Sequence, residues 1–117
     1  MNMPHIIEEH VAELADLFRL LGDTTRMRIV LRCVKEPVSV SDIAASLDVS
    51  QSLVSHHLRL LKSARVVTAD RQGKQVFYVA SDHHILRMLS NMLGKVRTSI
   101  PRTKNENFSH LISMGNQ

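Results

Sequence analysis

Two short stretches with helical spacing of apolar residues follow each other with almost nothing between them. The first, "SVSDIAASL", ends at Leu47, and the second, "SQSLVSHHLRLLKSA", begins at Ser50, so only Asp48 and Val49 separate them. Two short helices joined by so tight a turn form a helix-turn-helix. Ser50 is a suitable N-cap for the second helix. The turn lacks the glycine that is frequent there, but the apolar spacing and the N-cap both indicate a helix-turn-helix. This motif limits the possible folds more than any other feature of the sequence.

Further helices and a hairpin are predicted around this motif. Apolar residues at helical spacing predict a helix over residues 6–21, which Gly22 ends, and a second helix that Asp23 or Thr24 caps and Pro37 stops. After the motif, "RVVTADRQGKQVFYVA" contains two β-branched runs, beginning at Val66 and Val76, around a turn at residues 72–74. Such a pattern is typical of a β-hairpin.

A last helix is predicted from Asp82 to about Thr98, where Pro101 prevents its continuation. The predicted fold class is therefore mainly α with one β-hairpin, the arrangement of a winged helix-turn-helix. We expect residues 1–100 to form one DNA-binding and dimerisation domain, because 117 residues suffice for a single modest core. Residues 101–117 are polar and mostly unpatterned, and they are predicted to be a mobile C-terminal tail.

Charge and cysteine content limit the function class. The 15 lysines and arginines outnumber the 11 acidic residues, which suits a polyanionic partner such as nucleic acid. Neither a signal peptide nor a membrane span is evident, so a cytoplasmic protein without a membrane partner is expected. The single cysteine, Cys33, excludes an intramolecular disulfide and is expected to be a small, partly buried apolar residue.

In a DNA-binding helix-turn-helix, the start of the second helix faces base edges in the major groove. The residues predicted to read bases or hold phosphates there are Ser50, Gln51, Ser52, Ser55, His56, His57, Arg59 and Lys62. The hairpin tip adds Arg71, Gln72, Lys74 and Gln75, which are predicted to form a basic wing. Double-stranded operator DNA is therefore the expected partner, and the simpler alternative is a helical hairpin whose polar face contacts only water.

No catalytic function is predicted, because the serines have no evident base partner and no glycine-rich phosphate loop is present. Two other classes stay open. One is a metal buffer or carrier with a vestigial helix-turn-helix, which strong metal binding without operator preference would support. The other is a protein-interaction module, which a hydrophobic surface without salt-dependent DNA affinity would support.

Four segments together resemble the ArsR/SmtB family of metal-responsive repressors. They are "LLGDTTRMRIV", "SVSDIAASLDVSQSLVSHHLRLLKSARVV", "RQGKQVFY" and the helix starting "DHH", and the resemblance covers residues 11 to 98, with the zinc- and cobalt-sensing branch most similar. It implies a homodimer that binds an operator and is released by an inducer. Dimerisation would use residues 6–21 and 82–98, with an apolar seam of Leu14, Leu17, Phe18, Met88, Leu89 and Met92.

The resemblance implies two inducer sites, and the first is missing here. Its two cysteines correspond to Ser39 and Ser41, and serine is a poor ligand for soft metals that prefer thiolate. Cys33 alone also cannot form the paired-cysteine switch of the family's persulfide sensors, unless it bridges to another molecule.

The second implied site lies on the last helix and is half present. Asp82 and His84 match its first half, whereas its second half corresponds to Lys95 and Thr98, which are not ligands at neutral pH. Three interpretations stay open for this site. A nickel, cobalt or zinc ion could recruit further ligands, from His5, His10, His83 or His110. Alternatively, Lys95 replaces the metal opposite the partner's Asp82, leaving a metal-independent regulator that is constitutive or answers another signal. In the third interpretation, Asp82 is only a helix cap and the histidines lie on the surface.

Overall fold

The helix-turn-helix lies within a bundle of helices that packs against a small antiparallel sheet. The computed structural model describes residues 5–99, and its elements in chain order are α1 (Glu8–Leu21), α2 (Thr24–Lys35), β1 (Val38–Ser39), α3 (Val40–Leu47), α4 (Gln51–Ser63), β2 (Thr68–Gln72), β3 (Gln75–Val79) and α5 (His83–Ser99). The strand order is β1-β3-β2. The predicted winged helix-turn-helix is thereby confirmed, while the predicted tail, residues 101–117, lies outside the described residues.

Side-chain caps fix where four of the helices begin. Asp23, Ser39, Ser50 and Asp82 each accept a hydrogen bond from the backbone N–H three residues further on, at 2.9, 3.2, 3.1 and 3.0 Å. Each such bond satisfies one of the free N–H groups of a first helical turn. The predicted cap at Ser50 is confirmed, and Asp23 rather than Thr24 caps α2.

The tight turn of the helix-turn-helix forms without glycine because Asp48 adopts the left-handed conformation, with φ of 56°. The N–H of Asp48 donates to the carbonyl of Ala45, and the N–H of Val49 donates to that of Ala44. This pair of bonds is a Schellman motif, and aspartate tolerates left-handed backbone better than most residues. The glycine missing from the sequence pattern is therefore replaced by Asp48.

The core joins every helix to the sheet and holds α4 in place. Its fully buried side chains come mainly from α2, α3 and α4, and the largest of them are Ile29, Ile43, Leu58, Leu61, Val30 and Val54. Val66 and Val67 are each 1% exposed and precede β2, which begins at Thr68. The prediction that both valines belong to the hairpin strand is wrong, because they serve as core residues between α4 and the sheet.

The sheet contains a third strand that the sequence pattern did not reveal. In β1, Val38 pairs with Tyr78 and Ser39 pairs with Phe77 of β3. Two residues are too few to show the alternation by which strands are recognised in a sequence. This short strand attaches the wing to the start of α3, so the wing and the helix-turn-helix form one packed unit.

Apolar side chains also lie on the surface of α1 and of the second half of α5. Leu14 and Phe18 are 55% and 53% exposed, and Met92 and Leu93 are each 47% exposed. Of the other residues in the predicted dimer seam, Leu89 is only 8% exposed, and the half-buried Leu17 and Met88 pack in part against the core. For Leu89 the seam prediction is therefore wrong, because its side chain anchors α5 to its own domain.

Candidate nucleic-acid interface

The inner face of α4 determines which side chains the helix directs outward. Val54, His57, Leu58 and Leu61 are buried. On the opposite side, the exposed polar residues follow at helical spacing and are Ser52, His56 and Arg59, with Ser55 half-buried beside them. Ser50 and Gln51 are also exposed at the start of the helix. The structure thus presents one polar face at the N-terminal end of α4.

His57 does not belong to this face. Its side chain is 7% exposed, and its Nδ1 lies 3.4 Å from Nη1 of Arg26 on α2. Burial lowers the pKa of His57 below its ordinary value, an effect that the neighbouring Asp23 opposes and that Arg26 and His56 reinforce. The prediction that His57 contacts DNA is not compatible with this position, because a buried ring cannot reach a base edge.

Basic side chains lie beside the polar face without acidic partners. Arg59 and Lys62 of α4 are exposed, as are Arg71, Gln72 and Lys74 of the wing. Within residues 5–99, the one ion pair joins Arg19 to Asp16, far along the chain from these cations. The wing cations are therefore free to meet phosphate groups, which attract exposed lysine and arginine.

The wing tip is a two-residue loop, Gly73–Lys74, between the paired residues Gln72 and Gln75. Gly73 has φ of 65°, a conformation that glycine adopts without the cost other residues meet. The Nε of Arg71 donates to the carbonyl oxygen of Gly73 at 3.2 Å, which leaves the terminal nitrogens of this guanidinium at the surface. Local bonds thus order the tip while its charge stays accessible.

The wing and α4, the recognition helix of the helix-turn-helix, meet in one groove of about 350 Å³. Its lining includes Gln51 from α4 and Lys74 from the wing, and the remaining side chains are Ser39, Val40, Ser41, Gln75, Val76 and Tyr78. Gln75 was predicted as part of the wing tip, whereas sequence reasoning missed Tyr78, because only the pairing of β3 with β1 brings it to this surface. The structure therefore brings Gln51, predicted on α4, and Lys74, predicted on the wing, to the same groove.

The candidate metal ligands do not gather in the described part of one chain. Asp82 is half-buried and its carboxylate caps α5, whereas His83 and His84 are exposed. His5 and His10 are also exposed, and His110 lies outside the described residues. Among residues 5–99, no three side chains of histidine, cysteine, aspartate or glutamate are grouped so that they could hold a metal ion.

The second half of the implied metal site is likewise occupied by non-ligands. Lys95 is exposed, and the Thr98 hydroxyl donates to the carbonyl oxygens of Gly94 and Lys95 at 2.9 and 3.1 Å. Cys33 offers no alternative, because it is fully buried and burial raises its thiol pKa to about 11. A protonated, inaccessible thiol neither binds a soft metal nor reacts readily with oxidants.

Comparison with known proteins supports the resemblance of this chain to the ArsR/SmtB family. The family described as "Bacterial regulatory protein, arsR family" matches residues 23–69, which span α2, the helix-turn-helix and the start of the wing. The transcriptional repressor SmtB homolog of Synechocystis is 32% identical over 91 residues, covering 78% of this chain and 69% of that protein. The transcriptional repressor SmtB of Mycobacterium tuberculosis is 39% identical over 74 residues, but the chain spans only 55% of its length.

Among solved structures, the antimony-specific transcriptional repressor AntR superposes with a TM-score of 0.73 and 27% identity. The superposition covers 85% of this chain and 90% of AntR. Within the described residues, no helix is both long and apolar enough to cross a membrane.

Proposed function

Because the chain belongs to the ArsR family of bacterial regulatory proteins, we propose that it is a dimeric transcriptional repressor, released from a specific operator by an inducer. The observation that carries this proposal is the single groove in which Gln51 of α4 and Lys74 of the wing meet. A recognition helix and a basic wing that share one surface can contact a major groove and the neighbouring backbone together. Such a regulator would act in the cytoplasm and would perform no catalysis.

The predicted DNA-contacting residues would have two different tasks. Gln51 can form two hydrogen bonds with adenine, and the Ser52, Ser55 and His56 side chains can form hydrogen bonds with other base edges in the major groove. Arg59, Lys62 and Arg71 would hold phosphates, which set position and affinity without reading sequence.

The exposed apolar faces of α1 and α5 support a homodimer. Beside α1 lies a groove of about 840 Å³, whose apolar lining is Leu14, Leu17, Leu20, Leu60 and Ala64 and whose polar lining is His10, Glu13, Asp16 and Ser63. Exposed apolar surface of this kind is typical of a face that a partner covers. We propose that a second copy of the chain covers it, so that two recognition helices meet successive major grooves about 34 Å apart.

We expect base-reading and phosphate-holding variants to differ in how they change DNA affinity. Arg71→Ala should weaken binding to operator and random duplexes alike. It should also reduce the number of counterions released on binding, measured from the salt dependence of the affinity, by about one. Ser55→Ala and His56→Ala should mainly weaken operator binding, by about 1–3 kcal/mol for each lost base contact. Fluorescence anisotropy at several salt concentrations measures both effects.

Lys35→Ala is the matched control, because Lys35 is an exposed cation at the end of α2, outside the proposed DNA interface and outside both dimerisation helices. Its replacement should leave the difference between operator and random DNA unchanged. If Ser55→Ala and His56→Ala reduced affinity equally for both duplexes, the base-reading assignment would be wrong.

The donors on α5 do not fit the metal ion that the family implies. Zinc requires four donors, usually nitrogen, sulfur or carboxylate oxygen, and Asp82 and His84 supply two at most. Lys95 and Thr98 add none, and the described residues of one chain assemble no third ligand. We therefore propose that Asp82 acts as the cap of α5 and that release from DNA does not proceed through a zinc ion bound by this pair.

Accordingly, zinc should leave operator affinity unchanged, because Asp82 and His84 supply at most two of the four donors that zinc requires, and nickel and cobalt are measured beside it. The measurement is anisotropy of a labelled operator at one fixed salt concentration, with and without each metal, for the natural chain and for His84→Ala. A large loss of affinity with one metal that His84→Ala abolishes would contradict this proposal. It would instead assign the missing ligands to a second protomer or to His5, His10, His83 and His110.

A further inference from the structure

One arginine connects three helices of the domain. The backbone N–H of Arg26 donates to the Asp23 carboxylate at 2.9 Å, which caps α2. Its side-chain Nε donates to the carbonyl oxygen of Leu20 near the end of α1 at 2.6 Å, and its Nη1 lies 3.4 Å from Nδ1 of His57 on α4. Arg26 therefore links the C-terminal end of α1 to the middle of the recognition helix.

The chemistry of this contact determines the protonation state of His57. A guanidinium has only donors and does not lose its proton in proteins. His57 Nδ1 must therefore present its lone pair to Arg26, which leaves the proton on Nε2 and the ring neutral. A doubly protonated His57 would instead direct a donor and a positive charge at Arg26, with little solvent to screen them at a site that is 7% exposed.

We propose that Arg26 and His57 are positioning residues for DNA binding: neutral His57 fixes the recognition helix to the end of α1, and its protonation weakens operator binding. The proposal rests on the proposed DNA-binding function. It adds that binding is acid-sensitive through a side chain that does not touch DNA. The recognition helix would be held in register with α1 by this contact as well as by the apolar core.

The charged groups around His57 support this direction. Burial lowers the pKa of His57, and Arg26 of α2 and His56 of α4 lower it further, while the Asp23 carboxylate at the start of α2 acts in the opposite sense. His57 therefore gains its proton at a lower pH than an ordinary histidine, whose pKa is 6.5. The acid loss of binding is expected below that ordinary value.

The neighbouring His56 provides an internal contrast. Its side chain is exposed at the proposed interface. Replacing His56 leaves the contact between Arg26 and His57 in place. Variants of the two adjacent histidines can therefore separate positioning from direct contact with DNA.

The test begins with a duplex selected from a randomised pool by the natural chain at about pH 7.5. Anisotropy then measures the affinity for this duplex between pH 7.5 and about 5.5 at fixed salt, for the natural chain, His57→Gln and His56→Gln. Glutamine keeps an acceptor for Arg26 but cannot titrate. We expect the natural chain to lose affinity by up to about tenfold per pH unit below the His57 pKa, and His57→Gln to lose none.

His56→Gln should keep the acid loss. An equal acid loss in His57→Gln and the natural chain, or no acid loss in the natural chain, would overturn this inference while leaving the proposed function intact. Failure to enrich any duplex would overturn both.

A second measurement keeps the inference testable if His57→Gln does not fold. In the natural chain, imidazole nitrogen shifts should identify His57 as the Nε2–H tautomer, with a titration midpoint below the ordinary histidine pKa of 6.5. A proton on Nδ1 at neutral pH would exclude the contact with Arg26 and overturn the inference.

Discussion

Replacing Leu14 and Phe18 together with glutamate is expected to give a folded monomer whose operator affinity is at least about 100-fold lower. Both side chains are more than half exposed on α1, so charge at these positions should leave the core intact. In a dimer, binding of one recognition helix places the second at high effective concentration over its half-site. A monomer loses this gain without losing any of its own DNA contacts.

Sedimentation and anisotropy measure the two consequences on one sample. A matched control is the double variant Ala12→Glu, Arg19→Gln, which changes the net charge by the same amount at exposed positions on the polar side of α1. The control should remain dimeric and bind almost normally. A Leu14→Glu, Phe18→Glu protein that stayed dimeric with unchanged affinity would show that α1 is not the dimer face.

Leu58→Ala should reduce the free energy of unfolding by about 2–5 kcal/mol. Leu58 lies on the inner face of α4, is completely buried and contacts the core that holds the recognition helix. Its truncation removes apolar contacts and leaves a cavity that the rigid surroundings fill only in part. Loss of this side chain should therefore loosen α4 and destabilise the whole domain.

Leu53→Ala is the control, because Leu53 is on the same helix but is 38% exposed. It should cost less than about 1 kcal/mol, since much of the side chain already contacts water. Urea unfolding at one protein concentration measures both values, since the stability of a dimer depends on concentration. Equal losses for the two variants would mean that the inner face of α4 is assigned incorrectly.

The fold could be predicted from the sequence where local signals are strong. The apolar spacing, the cap at Ser50 and the tip glycine at Gly73 each indicate their element without reference to the rest of the chain. Asp48 was harder, because its left-handed conformation depends on the two helices that meet at the turn. The strand Val38–Ser39 was missed for a similar reason, since only its pairing with β3 makes it a strand.

The candidate site was predictable to a smaller degree. The residue types at the start of α4 and at the wing tip indicate nucleic acid, but their common groove depends on tertiary packing. His56 and His57 are identical in type and adjacent in sequence, yet one is exposed and the other is buried against Arg26. No local pattern separates them, because the 31-residue separation between Arg26 and His57 is closed only by the packing of α2 against α4.

The most direct test of the account is the ratio between affinities for an operator and for a scrambled duplex of equal length at one salt concentration. Anisotropy of the natural chain should give a ratio of at least about 1,000, the range typical of specific DNA-binding proteins. Such a ratio requires base reading, which is the task assigned to Gln51, Ser52, Ser55 and His56. Equal affinities for the two duplexes would contradict the central claim and leave only a basic surface that attracts any nucleic acid.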